Sequence, residues 1–502
     1  MKLLRLLLPW LGLLAAARAD VTLAPLFQDH AVLQRDLPLP VWGHAEPGEH
    51  VTVTFHDQTV GATATADGRW IVYLAAVPAS SEPAELVVTG KNAVTLKDIL
   101  VGEVWLASGQ SNMEWPLKSA ANADREVPAA HFPQLRLFSV LHHVADQPVE
   151  TATGSWQECT PESVKMFSAV AYYFGRDLQR KLGVPVGLIG SYWGGTAIEA
   201  WMSSAALRSV PAWPAIDARY QQDLVRFPER VAHYPAEREA WVKAEAQAKA
   251  TKKANPLKGP APPVGPGTPY ALSGLFDGMI APLQPYALRG VIWYQGESNW
   301  VRPEEYAELF PAMIRSWRAQ WGQGDFPFYF VQLANFIVTN DPTGRAWARL
   351  RDVQAEALKL PATGMAVTID IGNPKDIHPL NKQDVGRRLA LVARTQVHGI
   401  PGDFNGPTFA FVTGEHGAIR VHFNHAGTGL ISSGKPVQAL EVAGADRIFH
   451  PATAKIERDT LLVSSPQVTV PLAVRYAWSN APDANLFNGS GLPAVPFRSD
   501  DW

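Results

Sequence analysis

Apolar and polar residues alternate over Val51-Thr52-Val53-Thr54-Phe55, Thr63-Ala64-Thr65-Ala66 and Trp70-Ile71-Val72-Tyr73-Leu74. Period-two alternation buries one face of a strand, and the turn pairs Pro47-Gly48 and Asp67-Gly68 separate these stretches. Residues 20–99 are therefore predicted to form an N-terminal β-domain of sandwich type. From about residue 100 the pattern becomes unbroken apolar runs of strand length: Val101–Ala107, Val184–Ile189, Leu288–Tyr294, Phe328–Leu333 and Met365–Ile369. Strands buried on both faces read this way. Between the first two runs, Thr160-Pro161 gives a cap with proline in the first turn, and Val164, Phe167, Ala171, Phe174, Leu178 and Leu182 follow at helical spacing. A second helix is predicted after Asn381, with Val385, Leu389 and Val392 on one face. Alternating strands and helices predict a parallel sheet covered on both sides over residues 100–400.

An insertion interrupts this region at about 205–270. Residues 236–253 carry eight charged side chains among alanines and predict an exposed helix. Residues 256–269 hold six prolines and predict a stiff link. Alternation returns at Ile419-Arg420-Val421-His422-Phe423, with Thr460–Val463 and Val468–Val470 as further strands, so residues 401–502 are predicted to form a C-terminal β-domain.

The first nineteen residues stand apart. Lys2 and Arg5 precede the apolar run Leu6–Ala17, and Ala17-Arg18-Ala19 has the small-x-small form of a cleavage site. This predicts a signal peptide, a mature chain from Asp20, and an exported protein, periplasmic or secreted. The chain has 502 residues, 47% of them apolar, enough for several cores. Its 44 basic and 47 acidic residues leave a formal charge of −3, which argues against a nucleic-acid partner. No later run is long and apolar enough to predict a membrane span. The single cysteine, Cys159, excludes an internal disulfide or a cysteine zinc site and is predicted to be buried.

In a parallel sheet the site lies beyond the carboxyl ends of the strands. The first predicted strand ends in Ser108-Gly109-Gln110-Ser111-Asn112-Met113-Glu114-Trp115. A serine on a sharp strand-to-helix turn presents its hydroxyl there and leaves its own N–H free for developing negative charge. The second ends in Ser191-Tyr192-Trp193-Gly194-Gly195-Thr196, where paired glycines allow close backbone approach. The third ends in Gln295-Gly296-Glu297-Ser298-Asn299, whose side-chain amides are usable oxyanion donors. Glu297 reads alternatively as one carboxylate of a general-acid pair, although no partner carboxylate shares a comparable motif. The fifth is followed by Asp376-Ile377-His378, with a carboxylate two residues before an imidazole. The set specifies serine acyl transfer: Ser111 as nucleophile, His378 as general base then acid, and Asp376 as its orienter. N–H groups of Ser111 and Gly195 and a side-chain amide would hold the oxyanion. The adjacent His142 and His143 face apart on a strand and make poor joint metal ligands.

These motifs resemble those of the sialate O-acetylesterases, in the SGNH-hydrolase superfamily. The resemblance rests on Leu26–Glu49, Val101–Trp115, Ser191–Met202, Gly278–Leu283, Trp293–Asn299 and Asp376–Ala390. It implies a flavodoxin-like α/β/α fold of three layers with about five parallel strands, flanked by the two β-domains. It implies Ser111, Asp376 and His378 as the triad, Asp370 being the alternative carboxylate. Gly195 is the expected oxyanion glycine of the Gly194-Gly195 pair, and Gln295 the expected amide, with Asn299 as its alternative. The implied reaction is removal of O-acetyl groups from sialic acid, with no cofactor and no metal. Related exported esterases act on acetylated plant polysaccharides, and a non-catalytic glycan-binding protein or a metal-dependent hydrolase are rival classes. The implied partner is an O-acetylated sugar or glycan. Trp115 and Trp193 follow strand ends and are candidates to stack on it, and Asn299 is a further candidate contact. A sialic acid carboxylate calls for a guanidinium; Arg351 is the expected one, with Arg345 and Arg349 beside it.

Overall fold

The computed structural model describes residues 20–251 and 255–502. The predicted signal peptide lies outside the described residues. Six strands lie side by side in the order Phe132–Ser139, Val186–Tyr192, Ala93–Gly109, Gly290–Tyr294, Phe328–Val331 and Thr363–Ala366, and every neighbouring pair is parallel. Five of these overlap the apolar runs, in the spatial order second, first, third, fourth, fifth. The chain thus leaves the strand Ala93–Gly109 in opposite directions on its two sides, which opens a crevice at that strand's carboxyl end. The sixth, Phe132–Ser139, was not predicted: Pro133 and Arg136 interrupt its apolar pattern. Arg136 is buried all the same, and it donates to Asp98 at 2.6 Å and to the Pro133 carbonyl at 2.7 Å.

Side chains of alternate residues emerge on opposite sides of a sheet. Trp105, in register with Gly290, packs on Phe174 of the helix Ala169–Leu182. Trp293, in register with Ser108 and Phe330, packs on Trp317 of the helix Pro303–Trp321. Helices therefore cover both faces. The helix predicted from Thr160 is divided. Thr160 and Ser163 form a capping box on the single turn Pro161–Val164. The chain then restarts at Ser168, whose Oγ accepts the Ala171 N–H at 3.1 Å. The apolar spacing runs through the break because Val164, ending the single turn, and Phe167, in the linker, are both buried.

The strand Ala93–Gly109 also serves the N-terminal β region. Its first half pairs with Ser80–Thr89 and Val32–Gln34, and its second half with the parallel strands. Residues beyond 400 form two four-stranded antiparallel sheets and a small two-stranded one. Val468–Val470 is no strand; Val468 makes only an isolated bridge to Ser465. In the insertion the helix runs over Trp213–Thr251, longer than predicted and mostly exposed, and Arg219 ties it to Glu305 at 2.8 and 3.0 Å. Among the described residues no helix is long and apolar enough to cross a membrane.

Candidate active site

Gly109 ends the central strand at φ +136°, and a Cβ there would lie 2.2 Å from the Tyr294 carbonyl oxygen. Only glycine lets the chain turn this close to the neighbouring strand. The turn is tied on both sides: Gln110 N–H donates to that carbonyl at 3.0 Å, and Trp193 N–H donates to the Gly109 carbonyl at 3.1 Å. The single helical turn Ser111–Glu114 follows. Ser111 Oγ lies 2.9 Å from His378 Nε2, across 267 positions of sequence.

Asp376 stands less closely than the sequence suggests. Its Oδ1 accepts the backbone N–H of His378 at 2.9 Å and lies 3.7 Å from Nδ1. Its side chain is 53% exposed, so its field is screened by water. Asp370, the alternative carboxylate, is elsewhere, paired with Arg388 at 2.7 Å through both oxygens. Burial pushes the His378 imidazole below the ordinary histidine value, the Lys382 cation adds to the fall, and Asp376 partly opposes it.

Trp115 is half-buried beside the histidine. Its ring stacks on His378 at 5.0 Å and 19°, and its Nε1 donates to the Ser119 carbonyl at 2.9 Å. Trp193 is half-buried and stacks on His142 at 3.9 Å and 9°. His142 Nε2 in turn lies 3.2 Å from Glu114 Oε1, and this hydrogen bond raises its affinity for a proton. The other Glu114 oxygen accepts the Gly194 N–H at 2.6 Å. That contact holds the glycine pair against the nucleophile, since a Cβ on Gly194 would lie 3.1 Å from Ser111 Cβ. It also uses the Gly194 N–H, whereas Gly195, at φ +77°, has an N–H with no acceptor among the described residues. The phenol oxygen of Tyr270, at the end of the insertion, lies 3.7 Å from where a Gly195 Cβ would stand.

Gln295 and Asn299 do not face the nucleophile. Gln295 Nε2 donates to the Thr196 carbonyl at 3.2 Å and to Asn299 Oδ1 at 2.7 Å, which occupies both amide hydrogens. Asn299 Oδ1 also accepts the Ile198 N–H at 3.0 Å, and its Nδ2 donates to Glu199 at 2.8 Å. Both side chains are completely buried and brace the Thr196–Glu199 segment. Arg351 is likewise completely buried, not presented to a ligand; it donates to the carbonyls of Ser479 and Asn480. Arg345 pairs with Glu441, and Arg349 with Asp352 and Glu304. Cys159 is buried, which pushes its thiol up to about 12.

Sequence reasoning weighed His142 only as a metal ligand and missed Glu114, Asn112 and Lys382. Glu114 lies three residues after Ser111, so a one-turn helix brings the two together. That spacing was the available signal.

Comparisons with known proteins point to one family. A family model described as "Carbohydrate esterase, sialic acid-specific acetylesterase" matches residues 273–393. The chain is 30% identical to the sialate O-acetylesterase of Mus musculus over 522 residues, covering 94% of this chain and 93% of the mouse protein. It is 31% identical to the human sialate O-acetylesterase, covering 91% and 88%. A solved carbohydrate acetylesterase from Xanthomonas citri is 41% identical and superposes with a TM-score of 0.82, covering 96% of this chain and all of that one (100%).

Proposed function

The chain belongs to the sialate O-acetylesterase family and is an ester hydrolase, and from that premise we propose that it deacetylates O-acetylated sialic acid through an acetyl-serine intermediate. The single observation that carries the mechanism is the 2.9 Å contact between Ser111 Oγ and His378 Nε2 at the carboxyl end of the central strand. Neutral His378 takes the Ser111 proton as Oγ attacks the acetyl carbonyl carbon. The N–H groups of Ser111 and Gly195 hold the resulting oxyanion. The imidazolium is stabilised by the face of Trp115 and by the nearby Asp376 carboxylate. It then protonates the departing sugar oxygen. Water activated by His378 attacks the acetyl-Ser111 ester, and acetate leaves with Ser111 restored.

A second reading, an acetylated neutral polysaccharide as substrate, has a specific observation in its favour. Arg345, Arg349 and Arg351 are all committed to protein partners, and the group beside the nucleophile is the Glu114 carboxylate. The decisive experiment measures acetate release from O-acetylated sialic acid and from acetylated xylan with the wild-type protein. Preference for the sialic acid supports the first reading, and preference for xylan replaces it while the same serine chemistry is kept. We further propose an SGNH-type three-layer fold for residues 100–400, flanked by β-domains at 20–99 and 401–502. Export to the periplasm or medium follows if residues 1–19 are cleaved, which the mass of the mature protein tests.

A further inference from the structure

Behind the nucleophile lies a group of polar side chains that the proposed chemistry does not use. Lys382, Asn112 and Glu297 are 0%, 1% and 5% exposed. Lys382 Nζ donates to Asn112 Oδ1 and lies 5.7 and 5.6 Å from the ring centres of Trp115 and Tyr294. Asn112 Nδ2 donates to Glu297 Oε1 at 2.5 Å and to the Ile377 carbonyl at 3.0 Å. A buried charge without a partner is costly. Here one carboxamide stands between two groups of opposite charge.

That placement dictates how the amide is turned. Its oxygen must face the ammonium and its nitrogen the carboxylate; the reverse would set donor against donor and acceptor against acceptor. With Nδ2 fixed, its second hydrogen reaches the Ile377 carbonyl. Asn112 follows the nucleophile directly, and Ile377 precedes His378. The bond therefore ties the serine turn to the histidine loop at the one place where the two must stay in register. Asp376 does this only loosely, at 3.7 Å from Nδ1 and half-exposed.

We propose that Lys382, Asn112 and Glu297 are positioning residues that hold His378 Nε2 against Ser111 Oγ, with Lys382 also setting the basicity of His378 by its charge. The inference rests on the serine reading given above. The charged groups facing His378 are Lys382, from the helix Lys382–Gln396, and Asp376, from its own loop. Those facing Glu297 are Lys382 and the phenols of Tyr294 and Tyr306.

The test is the pH profile of aryl acetate hydrolysis, with kcat and KM measured separately, for Lys382→Met, Glu297→Gln and the double variant. Loss of one charge leaves the other buried and unpaired, so the double variant guards against failure of a single variant to fold. The expected kcat loss in Lys382→Met is on the order of tenfold to a hundredfold, the scale of a small misplacement of reacting groups. KM for the small ester should stay within about twofold. The rising limb should move to higher pH in Lys382→Met, because the cation that lowers the His378 pKa is removed. In the double variant kcat stays low, because nothing then orients the amide. A folded double variant with wild-type kcat and an unmoved limb overturns the proposal. Ser111→Ala separates the levels: if it keeps its activity the serine reading fails, and if it is inactive while the double variant matches wild type, only this inference fails.

Discussion

A serine hydroxyl becomes a nucleophile only when something takes its proton, and here His378 Nε2 stands 2.9 Å away. Ser111→Ala should lose about 10⁴–10⁶ in kcat toward an aryl acetate, with an unchanged circular dichroism spectrum. A folded variant keeping a tenth of the activity would remove Ser111 from the mechanism. His378 must be neutral to act, and burial, then the Lys382 cation, lower its pKa. A lowered pKa keeps the base neutral to more acidic pH. The rising limb of kcat/KM should therefore have its midpoint below about 6.5, the ordinary histidine value, with activity lost as pH falls through it. A midpoint above 7 would contradict the assigned surroundings of His378. These two residues were legible in the sequence because each sits in a short motif just after an apolar run. The direction of Gln295 was not. Its amide hydrogens go to Thr196 and Asn299, and the Thr196 partner comes from a segment about a hundred positions away that no local spacing reveals.

At the scale of elements, the site depends on turns that let strands converge. Gly109→Ala puts a methyl 2.2 Å from the Tyr294 carbonyl oxygen and strains a φ of +136°. The strain alone is about 1–3 kcal/mol, and the clash adds to it. The variant should melt at lower temperature and lose activity, because the displaced atoms carry Ser111. Ser168→Ala is the contrasting case. It removes the side-chain cap of the helix Ala169–Leu182 and should cost about 1 kcal/mol in a denaturant titration while kcat stays near wild type. The same position shows where pattern reading stops. Apolar spacing reports which residues are buried, and Val164 and Phe167 are buried whether or not the helix is continuous. The cap that divides it is one hydroxyl inside the pattern. The strand Phe132–Ser139 escaped for the converse reason: its buried Arg136 is neutralised by Asp98 from another strand, a partner that alternation along one segment cannot show.

At the scale of the whole molecule, Arg351 and Asp341 join the C-terminal β region to the central one. Arg351 donates to the carbonyls of Ser479 and Asn480, and Asn480 closes the contact by accepting the Trp347 N–H at 2.9 Å. Asp341 accepts from Asn480 Nδ2 at 2.9 Å, from Ala346 N–H at 2.8 Å and from Thr343. Arg351→Ala should therefore act on stability and leave the preference between acidic and neutral acetyl sugars unchanged. Burial alone would raise the Asp341 pKa, but hydrogen bonds from Thr343, Ala346 and Asn480 outweigh it and hold the carboxyl well below the ordinary range. A depressed carboxyl contributes stability that is fully present above its unfolded value of about 3.9 and is lost as pH falls below it. In urea titrations, the wild-type midpoint should drop as pH is lowered from 5 through 3. Asp341→Asn should start lower at pH 5, by about 1.5–3 kcal/mol for the lost charge-assisted bonds, and fall less steeply. Parallel slopes for the two proteins would mean that another carboxylate governs the acid response, and that Asp341 joins the two regions through geometry without contributing its charge.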